Sequence, residues 1–165
     1  MAYNRPGDDM TSKTNAVRLV EQAGISCREA FYEYDEQDLS GMHAAHAVGM
    51  PAEQVFKTLV ARGERTGIHV FCIPVCTTLD LKKAAKAAGD KNMEMVSVKE
   101  LLALTGYIRG GCSPVGMKKH YPTHFEETAL LFEEIAVSAG ERGHQMIIPP
   151  VSLAELVDGE FTDLI

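Results

Sequence analysis

Apolar positions along the chain recur at helical spacing in some stretches and gather into short β-branched and aromatic runs in others. Ser12 to Ala23 predicts a helix, with Ala16, Leu19, Val20 and Ala23 on one face and Gly24 where a C-terminal cap belongs. Ala30-Phe31-Tyr32-Glu33-Tyr34 has strand composition, and Asp35 to Gly41 is a polar loop. Met42 to Val48 is an alanine-rich helix stopped by Gly49 and Pro51, and Ala52 to Gln54 makes one more short turn. Val55 to Ala61 and Ile68 to Val75 read as two strands around a Gly63–Gly67 turn, antiparallel because the connection is so short. Leu79 to Ala88 predicts a helix with Leu81, Ala84, Ala85 and Ala88 on its apolar face, Asp80 near its start and Gly89 after its end.

Met93 to Val96 is a short strand. Ser97-Val98-Lys99-Glu100 carries the Ser-x-x-Glu capping-box pattern and opens a helix to about Thr105. Pro122 to Glu127 reads as a loop and a helical turn, and Ala129 to Phe132 fits either a strand or the end of that turn. Glu134 to Ser138 and Gln145 to Ile148 are strands joined through Gly140 to Gly143. Ser152 to Val157 is a last helix, followed by a short tail from Phe161 to Ile165. Helices and hairpin-joined strands are interspersed with no repeat or linker. The expected fold is therefore one α+β domain over residues 12–165, behind a loose polar tail at 1–11.

Composition changes this picture little. The 165 residues are 45% hydrophobic and 24% charged, as in ordinary soluble domains, and no apolar run approaches the roughly 18 residues needed to span a bilayer. Met1 to Met10 lacks the apolar centre of a signal peptide, so a cytoplasmic protein with no membrane partner is expected. The formal net charge of −7 argues against gripping nucleic acid by bulk electrostatics, and leaves room for a local contact with RNA. Lys82, Lys83 and Lys86 are explained by a solvated helix face. Of the four cysteines, Cys72 and Cys76 lack a second Cys/His pair at zinc-like spacing, and all four read as free thiols. His43 and His46 are three apart without a third ligand nearby, which favours surface histidines over a metal site; no cofactor is expected.

Two features stand out chemically. Thr105 to Gly116 holds four glycines and a proline in an otherwise well-patterned chain. Glycines permit close backbone approach, and successive N–H groups held by Pro114 could face one anion or oxyanion; the plain alternative is a tight turn between core strands. Lys57 interrupts an apolar strand. It belongs either on the wet face, with its stem over apolar surface, or in a cleft.

Three segments taken together, Val55-Phe56-Lys57-Thr58-Leu59, Asp80 to Lys86, and Thr105-Gly106-Tyr107 through Gly110-Gly111-Cys112-Ser113-Pro114-Val115-Gly116, resemble the YbaK/EbsC family of prolyl-tRNA editing proteins in order and spacing. The resemblance covers nearly everything from Ser12 onward. It implies a mixed, mostly antiparallel, barrel-like sheet flanked by helices. It also implies release of misattached cysteine from tRNA(Pro), and from Cys-tRNA(Cys) as a further substrate. The partners implied are the 3′ acceptor end of an aminoacylated tRNA and prolyl-tRNA synthetase, with no role for DNA. Lys57 becomes the functional lysine and Gly110 and Gly111 the amide donors, while Tyr34, Thr58, Cys112, Ser113, Pro114 and Gly116 line the substrate pocket. The implied chemistry is attack by the substrate's own thiol, with water attack as the competing route. A charged-tRNA or nucleotide binding module without chemistry, and a thiol enzyme using Cys112, are the rival readings. Cys112 stands where the family tolerates plain apolar residues. Two departures fall on one pocket wall: Ser40 replaces an aromatic residue and His43 an acidic one. They bear on which amino acid is removed.

Overall fold

The computed structural model describes residues 13–165; the expected tail at 1–11, and Ser12 at the start of the first predicted helix, lie outside the described residues. Five helices form: α1 (Asn15–Gln22), α2 (Gly41–Val48), α3 (Leu81–Ala88), α4 (Val98–Thr105) and α5 (Pro150–Leu156). Eight strands form: β1 (Arg28–Phe31), β2 (Phe56–Gly63), β3 (Gly67–Pro74), β4 (Met93–Met95), β5 (Thr123–Glu126), β6 (Ile135–Ser138), β7 (His144–Ile148) and β8 (Glu160–Thr162). Helix starts are set by side-chain caps. Thr14, Ser40 and Asp80 accept from the first-turn amides of α1, α2 and α3, and Ser97 with Glu100 closes a full capping box on α4. Gly49, Gly89 and Gly106 end α2, α3 and α4 in the left-handed conformation.

The strands make two sheets, β1-β7-β6 and β4-β2-β3-β5-β8. β2 pairs antiparallel with β3 from Phe56↔Pro74 to Gly63↔Gly67, as the short turn predicts. The sheets are not closed into a barrel: a single parallel bridge, Val55↔Ala136, joins them. β3, β5 and β8 run parallel, which makes the larger sheet mixed.

Period-two alternation sorts the side chains into layers. Phe56, Val60, Val70, Cys72 and Phe125 face Ile135, Val137, Met146 and Ile148 of the smaller sheet, with α1 and α5 closing this main core. Ala61, Phe71 and Ile73 face Ala84 and Ala85 of α3 on the opposite side. Ala30, Ala136 and Ile147 on the outer face of the smaller sheet pack against Ala45 of α2. No helix among the described residues is long and apolar enough to cross a membrane.

Three segments differ from the sequence expectation. The strand expected over Ala30 to Tyr34 forms as Arg28–Phe31, which leaves 32–34 outside it. Thr123 to Glu126, read as loop and turn, is a fully buried strand. Its polar side chains hid it, and each is satisfied internally: Thr123 donates to the Tyr121 carbonyl, His124 contacts Glu160 and His69, and Glu126 accepts from the Thr128 and Leu164 amides. The C-terminal tail is likewise anchored. β8 pairs with β5, Leu164 is fully buried, and Lys83 of α3 bonds Asp163 and the Ile165 carbonyl.

Candidate active site

The half of β2 that β4 does not cover opens onto a cavity of ≈ 440 Å³. Its walls come from five places: the start of α2, β2 from Phe56 to Val60, the entry to α4, the glycine-rich strip at Arg109, Gly110 and Cys112, and Tyr32, Ser138 and Gln145 of the smaller sheet's end. β4 pairs only with Ala61, Arg62 and Gly63, so the edge beside Lys57 is left free of a neighbouring strand.

Lys57 therefore lies in a cleft and not on a wet sheet face. It is half-buried and makes no hydrogen bond or ion pair among the described residues. Burial pushes its ammonium below the ordinary 10.5, with the Cys76 thiol nearby acting in the opposite sense. A cation held partly out of water with no counter-charge is receptive to an anion or a developing negative charge. Thr58 also lines the cavity, and its hydroxyl lies 3.7 Å from the Cys72 sulfur.

The strip turns at Gly110, whose φ of +86° is the left-handed region that glycine adopts freely. The Gly111 amide donates to the Ile108 carbonyl at 3.0 Å, so it is already spent on the turn. Gly111 instead allows close approach: a Cβ there would come within 3.0 Å of the Glu141 backbone. The amides of Gly110 and Cys112 make no hydrogen bond among the described residues, and both residues line the cavity. Of the three successive amides, those of Gly110 and Cys112 are unbonded and that of Gly111, an expected donor, is not.

The other expected pocket residues divide. Ser113 is buried behind the cavity wall, its hydroxyl accepting from the Val115 amide at 3.2 Å. Pro114 and Gly116 line a separate ≈ 230 Å³ cavity against Leu19 of α1 and Leu156 of α5. Tyr34 is 40% exposed and sits in a small crevice beside Gly110 with His43 and Arg142. It is Tyr32, two residues earlier, that enters the main cavity; burial pushes its phenol up, opposed by hydrogen bonds from Gln145 and the Gly143 backbone. Burial raises the Cys112 thiol to about 12, opposed by a hydrogen bond with Thr105, which disfavours the thiolate at neutral pH.

Ser138 and Gln145 were not legible locally. They are direct cross-strand partners on β6 and β7, so register alone brings them to the cavity together. The side-chain Oε1 of Gln145 is buried and has no hydrogen-bond partner among the described residues. A polar pair interrupting two apolar strands beside a glycine turn was the only sequence signal. Arg109, at the rim, lay inside the glycine-rich stretch but had been given no role.

The fold and this cavity define a single α+β domain with an anion-receptive pocket. Residues 40–156 match the aminoacyl-tRNA editing domain. The chain is 46% identical to EbsC of Enterococcus faecalis over 152 residues, covering 92% of this chain and 93% of that protein, which is named provisionally as a Cys-tRNA(Pro)/Cys-tRNA(Cys) deacylase. It is 31% identical to the proline–tRNA ligase of Shouchella clausii over 104 residues, which are 63% of this chain and 18% of the ligase. A solved structure described provisionally as a trans-editing enzyme for prolyl tRNA synthetase superposes with a TM-score of 0.76 at 27% identity, over 93% of this chain and 98% of that one. The chain belongs to the aminoacyl-tRNA editing domain family.

Proposed function

We propose that this protein is a trans-editing aminoacyl-tRNA deacylase that releases misattached cysteine from tRNA(Pro), with Cys-tRNA(Cys) as a second substrate. The observation that carries the reading is Lys57: an unpaired, half-buried ammonium in the same cavity as the unbonded Gly110 and Cys112 amides. The likeness to EbsC supplies the substrate class.

In this reading the amino acid enters the cavity on the 3′ ribose of the terminal adenosine. The Gly110 and Cys112 amides hold the ester carbonyl and stabilise charge on its oxygen; one lost donor of this kind costs on the order of 10²–10³ in rate. Lys57 contacts the terminal phosphate or the ester as a compact positioning cation. The substrate cysteine's sulfur attacks its own carbonyl carbon. The C–S bond forms, the ester C–O bond breaks, and the thiol proton ends on the ribose oxygen. The leaving product is a cyclic thiolactone, which water opens to cysteine. Thr58 and Tyr32 bound the amino-acid side of the pocket, with Ser40 and His43 near its α2 wall. Prolyl-tRNA synthetase supplies affinity that a chain of net charge −7 lacks.

A deacylation panel of Cys-, Ala- and Pro-tRNA(Pro) and Cys-tRNA(Cys) tests the assignment. Release of cysteine from both tRNAs, with alanine and proline retained, is expected. Binding of Cys-tRNA(Pro) without release of cysteine would instead mark a non-catalytic binding module. A pH profile tests the lysine. If the ammonium is the working form, activity persists below the folded pKa of Lys57 and falls as pH rises through it. Because burial lowers that value, the alkaline limb of kcat/KM, corrected for spontaneous ester loss, should lie below the ordinary 10.5. A profile flat through that point contradicts the role.

A further inference from the structure

The turn between β6 and β7 forms the backing of the glycine strip. The Tyr107 ring packs where a Gly140 Cβ would stand, the Glu141 backbone meets Gly111, and the Arg142 Nε donates to the Arg109 carbonyl at 3.0 Å. Besides the main-chain bonds Tyr32 N–Gly143 O and Ala139 N–His144 O, the turn is held by the side chain of His144, the first residue of β7, which is 2% exposed and stacks on Phe31, its cross-strand partner, at 4.2 Å. Its Nδ1 lies 2.9 Å from Glu141 Oε1 and its Nε2 2.9 Å from Glu29 Oε1.

Ionised carboxylates only accept hydrogen bonds, and a neutral imidazole carries one N–H. A ring with one N–H can donate to only one of the two carboxyls, so the second contact needs a hydrogen on the other ring nitrogen or on the carboxyl facing it. Charge-assisted bonds of this kind are about twice as strong as neutral ones. One end of the clamp is β1, a paired sheet strand; the other is the turn that touches Arg109, Gly110 and Gly111.

We propose that His144, bonded through both ring nitrogens to Glu29 and Glu141, is a positioning residue that presses the 139–143 turn against the glycine strip and so sets where the Gly110 and Cys112 amides stand. It touches no cavity atom itself. The kinetic consequence rests on the deacylase reading above; the placement of the amides does not.

The experiment has arms that separate the two. In protein labelled with ¹⁵N-histidine, both ring nitrogens of His144 should show the signature of a hydrogen bond; a ring with one nitrogen free of any partner overturns the proposal. His144→Gln and Glu141→Ala should shift the amide resonances of Gly110, Gly111 and Cys112 and speed their hydrogen exchange, whereas His46→Gln, on an exposed helix face, should not. Glu141→Ala keeps the test open if His144→Gln fails to fold. With Cys-tRNA(Pro), kcat should fall roughly 10- to 100-fold, the scale of a small misplacement of reacting groups, while KM stays within about twofold. Strip amides that stay unmoved in both variants overturn the proposal. A wild-type protein that releases no cysteine sinks the deacylase reading alone, since the amide measurements still decide the role of His144.

Discussion

Lys57→Ala is expected to abolish the proposed release of cysteine from Cys-tRNA(Pro) and to leave the fold intact. The cavity offers the substrate one unpaired buried-side cation, so no neighbour can take over its charge at that point: Arg109 is exposed at the rim. Loss of at least about 10²-fold is expected, comparable to removing a preorganised electrostatic group. Lys57→Met keeps the apolar stem and should be equally inactive. Its stability runs the other way. Burial lowers the folded pKa of Lys57, so the folded chain binds this proton less tightly than the unfolded chain, and the charge is a cost at neutral pH that fades as pH rises. Lys57→Met should therefore melt at or above the wild-type temperature. Full activity in either variant rejects Lys57 as the functional lysine.

Gly143→Ala is expected to lower stability by about 2–5 kcal/mol, the sum for overpacking and for a left-handed residue bearing a Cβ. Gly143 has a φ of +76°, and an added Cβ would stand 2.5 Å from the Tyr32 carbonyl oxygen and 3.2 Å from the Tyr34 ring. The obstructing atom is backbone, and it cannot swing away: the Tyr32 amide is bonded to the Gly143 carbonyl at 2.9 Å. Relief requires moving β1 away from the β6–β7 turn, which also moves Tyr32 from the cavity wall. Urea denaturation measures the loss, and a change under about 1 kcal/mol would show that the two strands separate more freely than this geometry allows.

The two predictions draw on different kinds of information. Lys57 was visible in the chain as a candidate, a lysine inside an apolar strand within a family-like motif. Its cleft was not. The cleft exists because β4 pairs with the last three residues of β2 only, a register that no local pattern announces. Gly111 illustrates the same limit. The glycine pair was conspicuous, but which amide is free depends on the Ile108 carbonyl, and the need for glycine at 111 comes from the Glu141 backbone thirty residues away. Tyr32 and Tyr34 would share one face of a strand over 30–34; β1 ends at Phe31 instead, and of the two only Tyr32 lines the main cavity. Pro114 and Gly116 proved to shape the far side of the same loop, toward α1 and α5.

The chain by itself determined its five helices, the β2–β3 hairpin and the glycine-bearing strip, because caps, periodicity and short turns act within three or four residues and carry their own physics. Only the tertiary structure decided that polar Thr123 to Glu126 runs as a central strand, that Ser138 and Gln145 meet across two strands, and which main-chain amides remain unbonded beside Lys57. Those outcomes rest on strand register, and register follows from burying all the apolar faces at once, a condition distributed over the whole chain.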